Sequence, residues 1–397
     1  MKGYNGSCKC GGVEPKNLQK PKVAIYGLTT EGYTIASKIV DVASVTIVDD
    51  TLQMAMDLTP ELVKTHSTLQ ELVGGESLMG LKPIPQVLSE AKLIFFAPKL
   101  RKTGDESIIE SNTKVREVAA HVSKGSTIIN TLPMGIGGNS DNVAVIEKQT
   151  GMKVGETINY AYCPLRPRGQ PGVIALAAKV RDTLSPEEIG MKSTYGGITA
   201  SELAYVSSVL NESAAIAVEV ELMKKARSQN RLASQEVAVG RREGEKYIDD
   251  LASFVYDLTA VQASEDVGEP LTYMAGAALR SLENDVRYIV DESRELLREM
   301  QLKASRTKVL VAWTVDRFEM RADRMRTAEG LVERLRDYVT DVRQVQAESA
   351  EEVTDPFKHN VMIACSARDR EWIKSLRRAV RAQEMTVLNA TPSLTRE

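Results

Sequence analysis

The residues best suited to chemistry lie near the N-terminus. Gly27-Leu-Thr-Thr-Glu-Gly32 forms a glycine turn, and Asp49 follows it at about the twenty-residue interval of a dinucleotide fingerprint. Gly27 permits a tight turn, and Gly32 lets a helix pack closely on a strand. A helix starting just after Thr29 offers free N–H groups and a positive dipole end to a pyrophosphate. Asp49 would accept hydrogen bonds from a ribose diol and repel a 2′-phosphate, favouring NAD over NADP. Gly27, Thr29, Thr30, Glu31, Gly32 and Asp49 are therefore the candidate cofactor-binding residues. The fingerprint is G-x-G-x-x-G, and its middle glycine is Thr29 here. Glu31 also puts a negative charge beside the helix start. These departures leave a second reading open, a unit of the same shape that binds no nucleotide.

The elements around the turn explain its placement. Residues 23–26 read as a buried strand. Ile35, Ala36, Ile39 and Val40 recur at helical spacing, and residues 45–48 form a second strand that runs into Asp49. Further on, 51–63 reads as helix, 92–97 as a strand closed by Pro98, and 108–122 as an amphipathic helix. Then come a strand at 127–130, a helix at 142–149 and a strand at 157–162. Alternating strands and helices predict a Rossmann-type doubly wound parallel sheet, in an α/β chain. Residues 201–226 form a long helix. Leu203, Val206, Leu210, Ala217 and Val220 line one face, while Ile216, Val218 and Leu222 make other faces apolar. Such a helix belongs between domains or subunits. Residues 282–300 are amphipathic. Strands at 308–312, 342–345, 361–365 and 385–388, with helices at 328–338 and 370–380, predict a second, smaller α/β domain.

Composition narrows the class. The chain has 397 residues, 43% hydrophobic and 26% charged, which suits a globular protein of two or three domains. A net charge of −3 implies no nucleic-acid partner, and 5% aromatics argue against base-stacking surfaces. No apolar run is read as membrane-spanning and no signal-peptide pattern is present, so a cytoplasmic protein without a membrane partner is expected. Cys8, Cys10, Cys163 and Cys365 form no disulfide framework in a chain this long. Cys8 and Cys10 make a C-x-C pair without a second pair or nearby His, so no metal site is expected.

Several pieces in register resemble one family. Residues 151–172, GMKVGETINYAYCPLRPRGQPG, resemble the end of the NAD domain of UDP-glucose/GDP-mannose dehydrogenases. There G-x-x-x-G, an apolar strand and Y-x-P-E-R follow one another. Phe96-Ala97-Pro98 with Thr103-Gly104-Asp105 resembles the family's A-V-P-T-P loop and its G-x-x-D tail. Asn130-Thr131-Leu132-Pro133-Met134-Gly135 resembles S-T-V-P-P-G, and Tyr195-Gly196-Gly197-Ile198-Thr199 resembles the V-G-G-x-T entry to the central helix. Arg324 falls at the arginine of the C-terminal motif K-P-x-x-x-D-x-R, with Arg317 and Phe318 at its lysine and proline. The resemblance adds Ala97, Pro98, Thr131 and Arg324 to the cofactor-binding candidates and makes Arg166 the substrate-binding one. It implies a homodimer built on the central helix, a UDP-binding-like C-terminal domain, NAD as cofactor and a small-molecule substrate of the nucleotide-sugar class. The parts are then an arm (1–20), a Rossmann domain (21–195), a helical central domain (196–303) and a C-terminal α/β domain (304–397).

The family's chemistry is where this chain departs. It oxidises an alcohol to an acid in two NAD-dependent steps, holding the aldehyde on a cysteine with support from a lysine, an asparagine and a glutamate. The cysteine stretch G-S-C-F-P-K-D-V resembles residues 278–286, which places Ser281 at the nucleophile and keeps Asp285. The glutamate becomes Leu165, and the central-helix lysine falls at or near Tyr205. Ser281, Asp285 and Tyr205 are the catalytic candidates. The bland readings are a helix N-cap for Ser281 and core packing for Tyr205. His66, His121 and His359 receive no role. Two functions fit. One is an NAD-dependent oxidoreductase with an altered substrate and a single two-electron step. The alternative is a catalytically degenerate, NAD-binding dimeric scaffold or regulatory protein.

Overall fold

The computed structural model describes residues 20–49, 54–74, 82–165, 175–176, 197–229, 245–264, 269–347, 355, 357–380 and 385–397. Cys8, Cys10, Arg166 and all of the expected arm except Lys20 lie outside them.

Strand β1 (Lys22–Tyr26), helix α1 (Thr30–Ile39) and strand β2 (Ser44–Asp49) form where the apolar spacing put them. β1 has parallel neighbours on both sides, which is why Val23, Ala24, Ile25 and Tyr26 are all buried and all apolar. The next stretch corrects an expectation. Residues 51–63 do not make a single helix: β3 (Met54–Leu58) pairs antiparallel with β2, and only α2 (Pro60–Thr65) is helical. The signal was alternation, with exposed Asp57 between buried Met56 and Leu58, and Asp57 accepts a 2.6 Å hydrogen bond from Thr46 across the pair.

Helices α3 (Leu69–Gly74), α4 (Ile84–Glu90), α5 (Asp105–Ala119) and α6 (Gly138–Thr150) alternate with β4 (Leu93–Phe96), β5 (Thr127–Asn130) and β6 (Asn159–Tyr162). A short β7 (Ala175–Leu176) adds antiparallel to the edge. The sheet order is β3-β2-β1-β4-β5-β6-β7, so the chain winds outward from β1, returns, and winds out the other way from β4. The switch point lies between the carboxyl ends of β1 and β4, at Gly27 and Ala97, where sheets of this kind bind ligands. Gly27 has φ of 127°, and a Cβ there would stand 1.9 Å from the Ala97 carbonyl oxygen. Only glycine fits that close approach.

The middle of the chain is helical: α7 (Ile198–Gln229), α8 (Ile248–Ala252), α9 (Val255–Gln262) and α10 (Glu269–Glu299). α7 packs on α9 and α10, burying Tyr205, Val206, Val209, Leu210, Ile216 and Val220. Its other face leaves Leu203, Val218 and Leu222 50%, 57% and 55% exposed. By length and composition, Ile198–Ala226 is apolar enough to cross a membrane, which the sequence reading did not anticipate. It is the one such helix among the described residues, and 44% of its most apolar window is buried in the protein.

The last unit is a parallel sheet of β8 (Thr307–Ala312), β9 (Asp341–Val345), β10 (His359–Ala364) and β11 (Met385–Asn389), ordered β11-β10-β8-β9. Helices α11 (Asp323–Arg336) and α12 (Ala367–Val380) cover it. One apolar cluster runs without a break from α7 and α10 into β8, β10 and α11. The architecture is the expected one: an N-terminal doubly wound sheet, a long central helix and a smaller C-terminal α/β domain.

Candidate functional site

The expected cofactor residues other than Arg324 gather at and beside the β1/β4 switch point. Thr29, at the position of the missing glycine, is fully buried and works as the N-cap of α1. Its hydroxyl accepts the Gly32 N–H at 3.1 Å and donates to the Ala97 carbonyl at 3.1 Å. Thr131 Oγ1 donates to the Phe96 carbonyl at 2.6 Å, tying β5 to β4. Pro98 follows Ala97 where the chain leaves the sheet. Asp49 ends β2, half-buried, opposite Met54 of β3.

The crevice above these residues is filled from the other end of the chain. After β8 the backbone runs into it through residues 316–320. The Thr30 N–H donates to the Phe318 carbonyl at 2.9 Å, and the Leu100 N–H to the Met320 carbonyl at 2.7 Å. The Met320 N–H donates to Glu31 Oε2 at 3.0 Å, and the Thr30 hydroxyl donates to Asp316. Phe318 and Met320 pack into the N-terminal core, with Met320 fully buried. Glu31 is only 6% exposed. Burial raises its carboxyl above the usual range, although Arg321 pulls the other way.

Beside the crevice lies a sealed polar cluster. Tyr205 Oη donates to Asp257 at 3.0 Å, and Arg321 donates to the same carboxylate at 2.7 Å and to the Leu165 carbonyl at 2.9 Å. Leu165 thus contributes a backbone acceptor and a buried side chain where the resemblance has a carboxylate. Burial pulls the Arg321 guanidinium down, but Asp257 outweighs it and keeps the cation protonated. Burial likewise pushes the Tyr205 hydroxyl well up, so it stays a donor.

Ser281 and Asp285 are not at this site. Ser281 Oγ donates to Glu221 at 3.1 Å, and its other neighbour is the Ala217 carbonyl at 3.4 Å. Ala217 lies twelve residues beyond Tyr205 on α7, roughly 18 Å along the axis. Nor is Ser281 an N-cap, because α10 begins at Glu269 and passes straight through it. The alanine-rich run before Ser281 favours helix, so no loop forms to present a nucleophile. Asp285 is 2% exposed, and its Oδ1 has no hydrogen-bond partner among the described residues. Burial pushes its carboxyl up to about 7, with Lys224 opposing and Glu221 adding.

Arg324 lies on α11 at a cleft of about 1250 Å³ between the two sheets, paired with Asp249 at 2.5 Å and with Glu319. Arg321, Asp257 and Glu202 are the residues that sequence reasoning missed. Asp257 was visible as a lone acid in an apolar helical run. Glu202 of α7 reaches the start of α6, accepting the Gly137 and Asn139 N–H groups at 3.0 and 2.9 Å and the Asn139 side chain at 2.8 Å. Arg166 lies outside the described residues.

No protein-family model matches the chain, and no curated protein sequence matches it. Solved structures do. A UDP-D-ManNAc dehydrogenase from Pyrococcus horikoshii superposes with a TM-score of 0.60 at 14% identity, over 94% of this chain and 96% of its own. A UDP-glucose dehydrogenase from Pyrobaculum islandicum gives 0.62 at 13% identity, over 96% of each chain. A UDP-N-acetyl-mannosamine dehydrogenase from S. aureus gives 0.57 at 12% identity, over 94% of this chain and 95% of its own. Over nearly its whole length, the chain has the fold of the nucleotide-sugar dehydrogenases.

Proposed function

We propose that this chain is an NAD-dependent oxidoreductase of the nucleotide-sugar dehydrogenase type, with an altered substrate and a single two-electron step. The observation that carries the reading is Asp49, which ends β2 beside the switch point of a dehydrogenase-like sheet. There its carboxylate suits a ribose diol and repels a 2′-phosphate. The pyrophosphate end does not fit in this conformation, because the Phe318 carbonyl holds the Thr30 N–H. The parts are a dinucleotide domain (21–195), a helical domain (196–303) and a C-terminal domain (304–397). The substrate is a small molecule, and the names of the similar structures suggest nucleotide sugars as the first class to try.

The chain's own residues support the limit to one step. Covalent capture of an aldehyde needs a thiolate or an activated hydroxyl. Cys163 and Cys365 are buried, and burial pushes Cys163 up to about 12. Ser281, on α10, packs at Ala217 and Glu221 of α7, roughly 18 Å or more along that helix from Tyr205, so its hydroxyl is remote from the crevice. Tyr205, whose hydroxyl donates to Asp257 beside Arg321, is the candidate to hold a proton beside the crevice.

Calorimetry tests the cofactor reading. NAD is expected to bind more tightly than NADP, and Asp49→Ala should narrow the gap; tighter NADP binding by the unmodified protein would sink it. Turnover of a sugar-nucleotide panel tests the step count, with no more than one NADH expected per substrate. Two NADH with an acid product would overturn the single step. The second reading, a catalytically degenerate, NAD-binding dimeric scaffold or regulatory protein, predicts NAD binding with no turnover at all.

A further inference from the structure

The loop after β8 takes an unusual course for a connection between a strand and a helix. Such loops ordinarily stay on their own sheet, at the surface. Residues 316–320 instead leave the C-terminal sheet and seat two apolar side chains, Phe318 and Met320, in the core of the other domain. The contacts they make are those a bound dinucleotide would contest. The Thr30 N–H, at the first turn of α1, is a donor that a phosphate oxygen would use, and the Phe318 carbonyl takes it at 2.9 Å. Met320 lies against Thr131, with its sulfur 3.7 Å from the hydroxyl, over the carboxyl ends of β4 and β5. Asp316 binds both the Thr30 hydroxyl and, at 2.8 Å, the Phe318 N–H, so one carboxylate shapes the turn and anchors it.

We infer that residues 316–320 form a strap that holds the crevice shut, and that the first domain accepts a dinucleotide only when this strap withdraws. The inference rests on the dinucleotide reading of that crevice. Two features make the strap removable rather than a fixed part of the core. The first is space: the cleft of about 1250 Å³ runs along its outer side, lined by Thr30, Glu31, Asp316, Arg317 and Glu319. The second is the cost of docking. Closure buries the Glu31 carboxylate, whose one backbone donor from the strap is the Met320 N–H, and opening would return that carboxylate to water. Arg317 and Lys99 flank the Phe318 ring, with 4.8 and 5.5 Å to its centroid. The strap therefore carries one cation, Arg317, while Lys99 belongs to the first domain and stays at the crevice when the strap moves.

A strap in competition with ligand lowers apparent affinity by the fraction of molecules in which it is open. Weakening its anchors must then tighten binding. Asp316→Ala removes a half-buried anchor, and Phe318→Ala removes the inserted ring. Each is expected to tighten NAD binding by about tenfold, read by calorimetry. Hydrogen exchange gives an independent readout. On adding NAD to the unmodified protein, the Met320 and Leu100 amides should lose protection while the Thr30 amide keeps it. Binding by the variants where the unmodified protein shows none also supports the strap. Equal affinities, with the Met320 amide still protected in the NAD complex, would overturn it and leave the dinucleotide reading standing. No binding by any of the proteins would end both.

Discussion

Asp285 holds a carboxyl oxygen that meets no donor among the described residues, on α10 where α7 brings it Lys224 and Glu221. A group held at about 7 when folded binds its proton more tightly in the native than in the unfolded chain. Its contribution to stability is therefore greatest in acid, falls as pH rises from about 4 toward 7, and is flat above that. Asp285→Asn should flatten part of this slope and raise the melting temperature near pH 8 by several degrees. An unchanged slope would mean the carboxyl is ionised and satisfied. Glu319 and Asp323, also pushed up to about 7 by burial, should leave a residual slope. Ser281→Ala should cost about 1 kcal/mol, the weight of one hydroxyl bond to Glu221, and leave turnover unchanged.

At the scale of elements, Glu202 shows how the central helix is fixed to the sheet. Its carboxylate serves as the anion for the start of α6, where backbone N–H groups would otherwise be unpaired. Glu202→Ala should destabilise the protein by about 2–4 kcal/mol in denaturant unfolding, and Glu202→Gln by less. A loss under 0.5 kcal/mol, roughly that of a surface change, would show that water replaces it freely. Helix and strand placement was largely legible, because Ile35, Ala36 and Ile39 or Val45 and Ile47 announce their periods locally. The region after Asp49 misled, since Met54 and Met56 of a short edge strand run directly into the apolar positions of α2. Most of the crevice was legible too, including Gly27, Thr29, Glu31 and Thr131. What fills it was not. Phe318 and Met320 reach Thr30 and Thr131 only through tertiary folding, and no spacing within a segment encodes that pairing. Ser281 failed for a related reason: a motif register placed it by counting, while the helix propensity of its neighbours decided its surroundings.

For the whole molecule, the apolar face of α7 bears on assembly. Leu210 is buried in the chain's own core, so charging it would unfold the protein and report nothing about a dimer. Val218 and Leu222, one turn apart and more than half exposed, are the residues to change. If the chain is a homodimer on this face, Val218→Glu with Leu222→Glu should give a folded monomer by light scattering and circular dichroism. A monomeric unmodified protein at micromolar concentration would remove that reading.

Arg321 joins a carbonyl of the first sheet, through Leu165, to a carboxylate of the helical layer, through Asp257, from a loop that belongs to the second sheet. A buried guanidinium cannot be left half-paired, so loosening any one of these parts strands a charge in the other two. The apolar cluster from α7 to β10 adds a second such tie. Melting should therefore be cooperative across the chain: calorimetry should show a single endotherm whose van't Hoff and measured enthalpies agree. Arg321→Met should split it in two, and neither half, produced separately by cutting at residue 303, should melt as sharply as it does within the intact protein. Independent melting of the two halves in the unmodified chain would show that the tie is loose.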